Sequence, residues 1–270
     1  MAISHWSIGK AWISLGVLVL AISVLPSALL IVESPEDIGL QPDNFPLYKA
    51  ENTPDDVAFG AGDDGIDWSL REALGTRALW VLTGVVGMLF VAQAGISVHI
   101  GAFFLDRGLS LTAAANAITI NAAVNAFASL IWGAIIERAT IRWAMVGLTV
   151  TSALTSLTLL FVTSHSTAFA VAALLGIVAA GGNVIPPVAF ASYYGRRSIG
   201  RIRGVSETGV QVGQMIGALF SGFVFDLSGS YVIAFLTFFA LGLVGAVVVI
   251  SLNPPNRAVK LSSIEAERLL

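Results

Sequence analysis

The sequence predicts an all-α polytopic membrane protein with seven transmembrane helices. Two observations carry that expectation. Of the 270 residues, 56% are hydrophobic and only 11% are charged, whereas a soluble domain is roughly 25% charged. The apolar residues also fall into seven stretches of about twenty residues, the length a helix needs to cross a bilayer. Barrel strands would be about half as long and would alternate. A bilayer core holds no water, so each spanning segment must satisfy its own backbone polar groups, which a helix does.

The first stretch is Ala11–Val32. It is too long for the apolar core of a signal peptide, and Pro26 stands just before Ala28, the one small residue suited to cleavage. Residues 33–77 are a polar interruption holding eleven of the seventeen acids, all between Glu33 and Glu72. Ser34-Pro35 bars the preceding helix from continuing, and the composition is that of a linker. At its end, Ser69 and Glu72 have capping-box spacing, so a short interfacial helix starts there, with Trp68 expected as its anchor. Six further stretches follow: Ala78–Leu105, Thr112–Ile136, Trp143–Thr163, Ala168–Ala191, Val205–Phe225 and Tyr231–Leu252. The expected organisation is one helix in residues 1–32, a central loop in 33–77, a six-helix unit in 78–252 and a tail in 253–270.

Basic residues on short loops orient such a chain. With the acidic loop in the cytoplasm, twelve of the fourteen Lys and Arg residues fall inside, and only Lys10 and Arg107 fall outside. The N-terminus is then external and the C-terminus cytoplasmic. The first helix opposes this: Lys10 precedes it while Glu33, Glu36 and Asp37 follow it. Something upstream is expected to set its direction, as in a longer chain.

Four segments carry a resemblance. They are "ESPEDIGLQPDN" (33–44), "DWSLREALGTRALW" (67–80), "GAIIERATIR" (133–142) and "DLSGSY" (226–231). Together they resemble the major facilitator superfamily of transporters, in a form closest to its monocarboxylate and oxalate–formate antiporter branch. The resemblance implies that 33–77 is the joint between two six-helix halves. Residues 1–32 would then be equivalent to the sixth helix, and 78–252 to the second half. It also implies a truncated chain whose partner is a missing N-terminal half or a second copy, in the bacterial inner membrane. The implied function is secondary active transport of a small solute, an organic anion in that branch, by alternating access. Gly133, Glu137, Arg138 and Arg142 match the superfamily's loop signature, with Glu137 where Asp is usual, and imply a cytoplasmic latch.

Several residues are candidates for the transport path. Asn121 and Asn125 stand in a four-residue repeat with Ala117, Ser129 and Gly133, so they share one helix face. Such polar positions either line a path or join helices. Gln93, Gln211, Gln214 and Asn183 are further polar residues within spans. Gly209, Gly213 and Gly217 form a packing seam at the same spacing; Ala218 stands where the superfamily often has proline. Gly181, Gly182, Pro186 and Pro187 weaken the fifth of the seven spans at mid-depth, which predicts an interrupted helix and a gating bend. Glu207 and His99 are the candidates for proton coupling. Glu207 has the plainer reading of a first-turn acid beside Arg201 and Arg203.

Other classes fit poorly. The three lysines, Lys10, Lys49 and Lys260, all lie outside the spans, which excludes a retinal Schiff base. There is no nucleotide-binding glycine loop, no metal-ligand cluster and no nucleophile–base pair, so neither a cofactor, a nucleic-acid partner nor an enzyme is expected. No span carries a mid-depth Arg or Lys, which weighs against a carboxylate substrate. The alternative to a transporter is a membrane scaffold that uses its helix seams for assembly.

Overall fold

The computed structural model describes residues 8–30, 68–195, 198–252 and 255. "ESPEDIGLQPDN" and the C-terminal tail lie outside the described residues. All regular elements among the described residues are helical. Seven helices among them are long and apolar enough to cross a membrane, and the chain is an integral membrane protein. It divides into two units, Met1–Ala50 and Glu51–Leu270.

The first unit contains α1 (Ile8–Val19), a π-helical turn (Leu20–Val24) and α2 (Leu25–Leu30). Pro26 accounts for the wide turn. It has no N–H for the Ile22 carbonyl, and its ring crowds that carbonyl. The backbone ahead of it opens to i→i+5 bonding, with the Leu25 N–H donating to the Leu20 oxygen.

The second unit opens with α3 (Leu70–Leu74), capped as expected. The Ser69 hydroxyl accepts from the Glu72 N–H, and the Glu72 carboxylate accepts from the Ser69 N–H at 2.7 Å. Trp68 departs from the expected role of interfacial anchor. Its ring is buried edge-on against Tyr194 at 5.9 Å, and the Trp68 backbone N–H donates to the Tyr194 carbonyl. The Tyr194 hydroxyl lies 2.7 Å from the Thr76 hydroxyl. The start of the bundle is thus clamped to the end of its fourth long helix.

The long helices are α4 (Arg77–Ser97), α6 (Leu111–Arg138), α7 (Ile141–Thr158), α8 (His165–Tyr194), α9 (Ile199–Ser228) and α10 (Val232–Ile250). The predicted stretch Ala78–Leu105 is broken: a short α5 (Ile100–Asp106) follows α4 after a tight turn at Val98-His99. The His99 ring explains the break, because it leaves the helix axis to bond across the bundle. His99 Nε2 lies 3.1 Å from the Ala218 carbonyl, and Nδ1 3.4 Å from the Tyr231 hydroxyl.

The expected interruption of the fifth of the seven spans is corrected. α8 runs unbroken for 30 residues through Pro186 and Pro187, about 45 Å at 1.5 Å per residue. Proline's fixed φ is compatible with a helix, though the Gly182 and Asn183 carbonyls lose their donors. Packing on α6 and α7 holds the helix through this weak point. α9 ends on Gly229, whose φ of 64° is the left-handed conformation that glycine adopts without penalty; its N–H returns to the Phe225 carbonyl.

The helix pairings have an internal symmetry. α4 packs chiefly on α9, α6 on α8, and α7 on α10, while α10 also packs on α4 and α7 on α8. Exchanging α4-α6-α7 with α8-α9-α10 maps this pattern onto itself. That is the signature of two three-helix repeats within the bundle.

Candidate functional site

A cavity of about 150 Å³ lies where α4, α6, α7 and α8 meet. Each helix contributes residues three or four apart, which share a face. α4 supplies Gln93, Ile96 and Ser97; α6 supplies Asn121 and Asn125; α7 supplies Ser152, Thr155 and Ser156; α8 supplies Leu175, Val178 and Ala179. Polar groups thus come from three helices, and α8 provides an apolar wall.

Close packing of α6 on α8 places the two asparagines. A Cβ on Gly176 would stand 2.6 Å from the Asn121 carbonyl and 3.1 Å from the Asn125 nitrogen. Asn121 Nδ2 donates to the Ala172 carbonyl at 3.2 Å, and Trp132 Nε1 donates to the Ile177 carbonyl at 2.9 Å. Asn121 therefore joins two helices and also borders the cavity. Among the described residues, the side chains of Gln93, Asn125, Ser152 and Thr155 make no hydrogen bond to protein. Ser152 and Thr155 are nonetheless buried, at 4% and 2% exposure. Ser156 differs, since its hydroxyl donates back to the Ser152 carbonyl.

The sequence signal for α7 was present but weak. Its hydroxyls recur as Thr149, Thr151, Ser152, Thr155, Ser156 and Thr158. Helical Ser and Thr usually bond their own preceding turn, and Thr149, Thr151 and Thr158 do so. Composition alone does not reveal which hydroxyls remain free.

The other candidates lie elsewhere. Asn183 and Gln211 are exposed and Gln214 is half-buried, and none borders the cavity. Gly181 faces Leu148 and the Trp132 ring, with a built Cβ 2.6 and 2.9 Å away. Gly182 faces Gln93 Oε1 at 3.3 Å. Pro186 is buried and Pro187 half-buried. Gly209, Gly213 and Gly217 meet Thr83, Gly87 and Val91 in turn, so α4 and α9 run in the same direction with backbones in contact. Glu207 pairs with Arg203 one turn earlier, both partly exposed. Glu137 and Arg138 are exposed and make no ion pair among the described residues, and Gly133 has open space around it. His99 binds α9 and Tyr231 and does not reach the cavity.

The second unit is thus a six-helix apolar bundle, doubled within itself, with a partly open polar cavity among four of its helices. The sequence profile of the Major Facilitator Superfamily matches residues 79–270. The chain belongs to that superfamily, whose members are transporters rather than enzymes. No curated protein matches the chain significantly.

Proposed function

We propose that this chain forms one bundle of a secondary transporter that moves a small solute by alternating access. The observation that carries this reading is the partly open cavity with amide and hydroxyl groups that make no hydrogen bond among the described residues. Polar side chains without partners inside a span are costly and mark solute paths. The path requires a second wall, supplied by the N-terminal half of a complete transporter or by a second copy of this bundle. Glu137 and Arg138, exposed and without an ion pair among the described residues, fit a latch that engages that second bundle. The scaffold alternative loses its main support, because the glycine seam is already occupied between α4 and α9.

Flux into proteoliposomes tests the reading. Protein that includes both bundles, co-expressed if necessary, is expected to move solute saturably, and protein without a second bundle is not. Equal flux in protein-free vesicles would reject transport.

The arginines at the ends of α3, α6 and α9 support a cytoplasmic location for the end of the unit that holds Thr76, Thr140 and Ser198. The chain has no cysteine, so single cysteines report the orientation. Ser198→Cys is expected to label only from the cytoplasm and Ser166→Cys only from outside. The reverse pattern would overturn the orientation.

A further inference from the structure

The lining of the cavity narrows the chemistry of the solute. None of its eleven residues carries an ionisable side chain. A carboxylate placed against these residues would lose hydration with no cation among them to pair with, a cost that buried charges tolerate only when paired and hydrogen-bonded. An ammonium would meet the same obstacle, with no carboxylate in the lining. The lining instead offers neutral groups that donate and accept together: the amides of Gln93 and Asn125 and the hydroxyls of Ser152 and Thr155. A solute hydroxyl also donates and accepts, so each one can satisfy a lining group in both senses. Leu175, Val178 and Ala179 give an apolar wall against which a carbon chain can lie. The volume of about 150 Å³ is that of a site for roughly six non-hydrogen atoms, since a cavity of this size holds benzene.

We infer that the solute bound here is a small uncharged polyol of glycerol size. This rests on the reading that the cavity lies on the transport path, and it departs from the organic anion that the antiporter-like segments suggested. The amides of Gln93 and Asn125 and the hydroxyls of Ser152 and Thr155 take up the solute hydroxyls, and the α8 residues meet its carbon chain.

The test is thermal unfolding of the purified full chain with glycerol, mannitol, acetamide, lactate or oxalate, each with wild type, Asn125→Leu and Thr155→Val. Polyols stabilise all proteins by exclusion from the surface, so the informative quantity is the wild-type shift minus the variant shift. Thr155→Val keeps shape and removes one hydroxyl, which covers the case in which Asn125→Leu folds poorly. Glycerol is expected to raise the wild-type Tm saturably by at least about 2 °C more than either variant. Mannitol, acetamide and the two carboxylates are expected to give no such difference. Equal glycerol shifts in wild type and variants would overturn the inference. So would a variant-sensitive shift with lactate, oxalate or acetamide. Because this readout is binding and not flux, failure of transport and failure of the solute assignment are separately visible.

Discussion

Gly213→Leu is expected to abolish recovery of monodisperse protein from detergent, leaving aggregate or degraded chain. A Cβ at this position would run into the Gly87 carbonyl oxygen and stand 3.1 Å from the Gly87 carbonyl carbon. The next turn is equally closed, because a Cβ on Gly217 would meet the Val91 carbonyl. Both obstacles are backbone, so no side chain can swing aside. A leucine must push α4 and α9 apart along their whole seam, and in a membrane such van der Waals contact is a main source of helix association. Overpacking a core commonly costs 1–3 kcal/mol, occasionally more. Backbone against backbone places this case at about the upper end or beyond. Gly84→Leu is the matched control. It lies on α4 with nothing within 4 Å of a built Cβ, and it is expected to keep wild-type yield. Size-exclusion profiles and thermal unfolding of both variants check the result. A monodisperse Gly213→Leu with wild-type Tm would contradict the seam.

Asn125→Leu and Gln93→Leu are expected to reduce transport at least tenfold per inserted molecule, about 1.4 kcal/mol of lost stabilisation, while leaving yield and fold intact. Neither side chain bonds to protein, so removing it orphans no protein group. Whatever these amides stabilise must enter the cavity from outside. Asn121→Leu should behave differently, since it also removes the bond to the Ala172 carbonyl. Such bonds average roughly 0.6 kcal/mol in bilayers, so a modest loss of stability should accompany its loss of flux. Ser129→Ala is the quiet neighbour: its hydroxyl only turns back to the Asn125 carbonyl, and flux should be near wild type. Rates from proteoliposomes, normalised to inserted protein, distinguish these cases. An Asn125→Leu variant that lowers yield but keeps full turnover would remove the cavity from the path.

Much of the architecture was legible in the residues. The seven spans follow from hydropathy, because each helix satisfies its own backbone and must match the bilayer by itself. α6, α8 and α9 extend past their apolar runs at both ends, as α9 does by starting at Ile199 and not Val205, since a helix continues into the headgroup region after hydropathy falls. The capping box at Ser69 and Glu72 was equally local. So was the glycine repeat of α9, whose spacing already marked one small-residue face.

Other features lay beyond any single segment. The break at Val98-His99 depends on the Ala218 carbonyl and Tyr231 being present on other helices. Trp68 reads as an interface anchor until Tyr194, more than a hundred residues away, is placed beside it. Two adjacent prolines predict an interrupted helix, yet neighbouring helices keep α8 continuous. The cavity is the clearest case. Asn121 and Asn125 stood out by sequence, while Ser152 and Thr155 were hidden among hydroxyls that serve their own helix. Hydropathy and spacing are properties of one stretch of chain, so the sequence by itself determined the class, the spans and the seam. A cavity exists only where four faces meet, so only the tertiary structure decided which polar groups find protein partners and which are left for a solute.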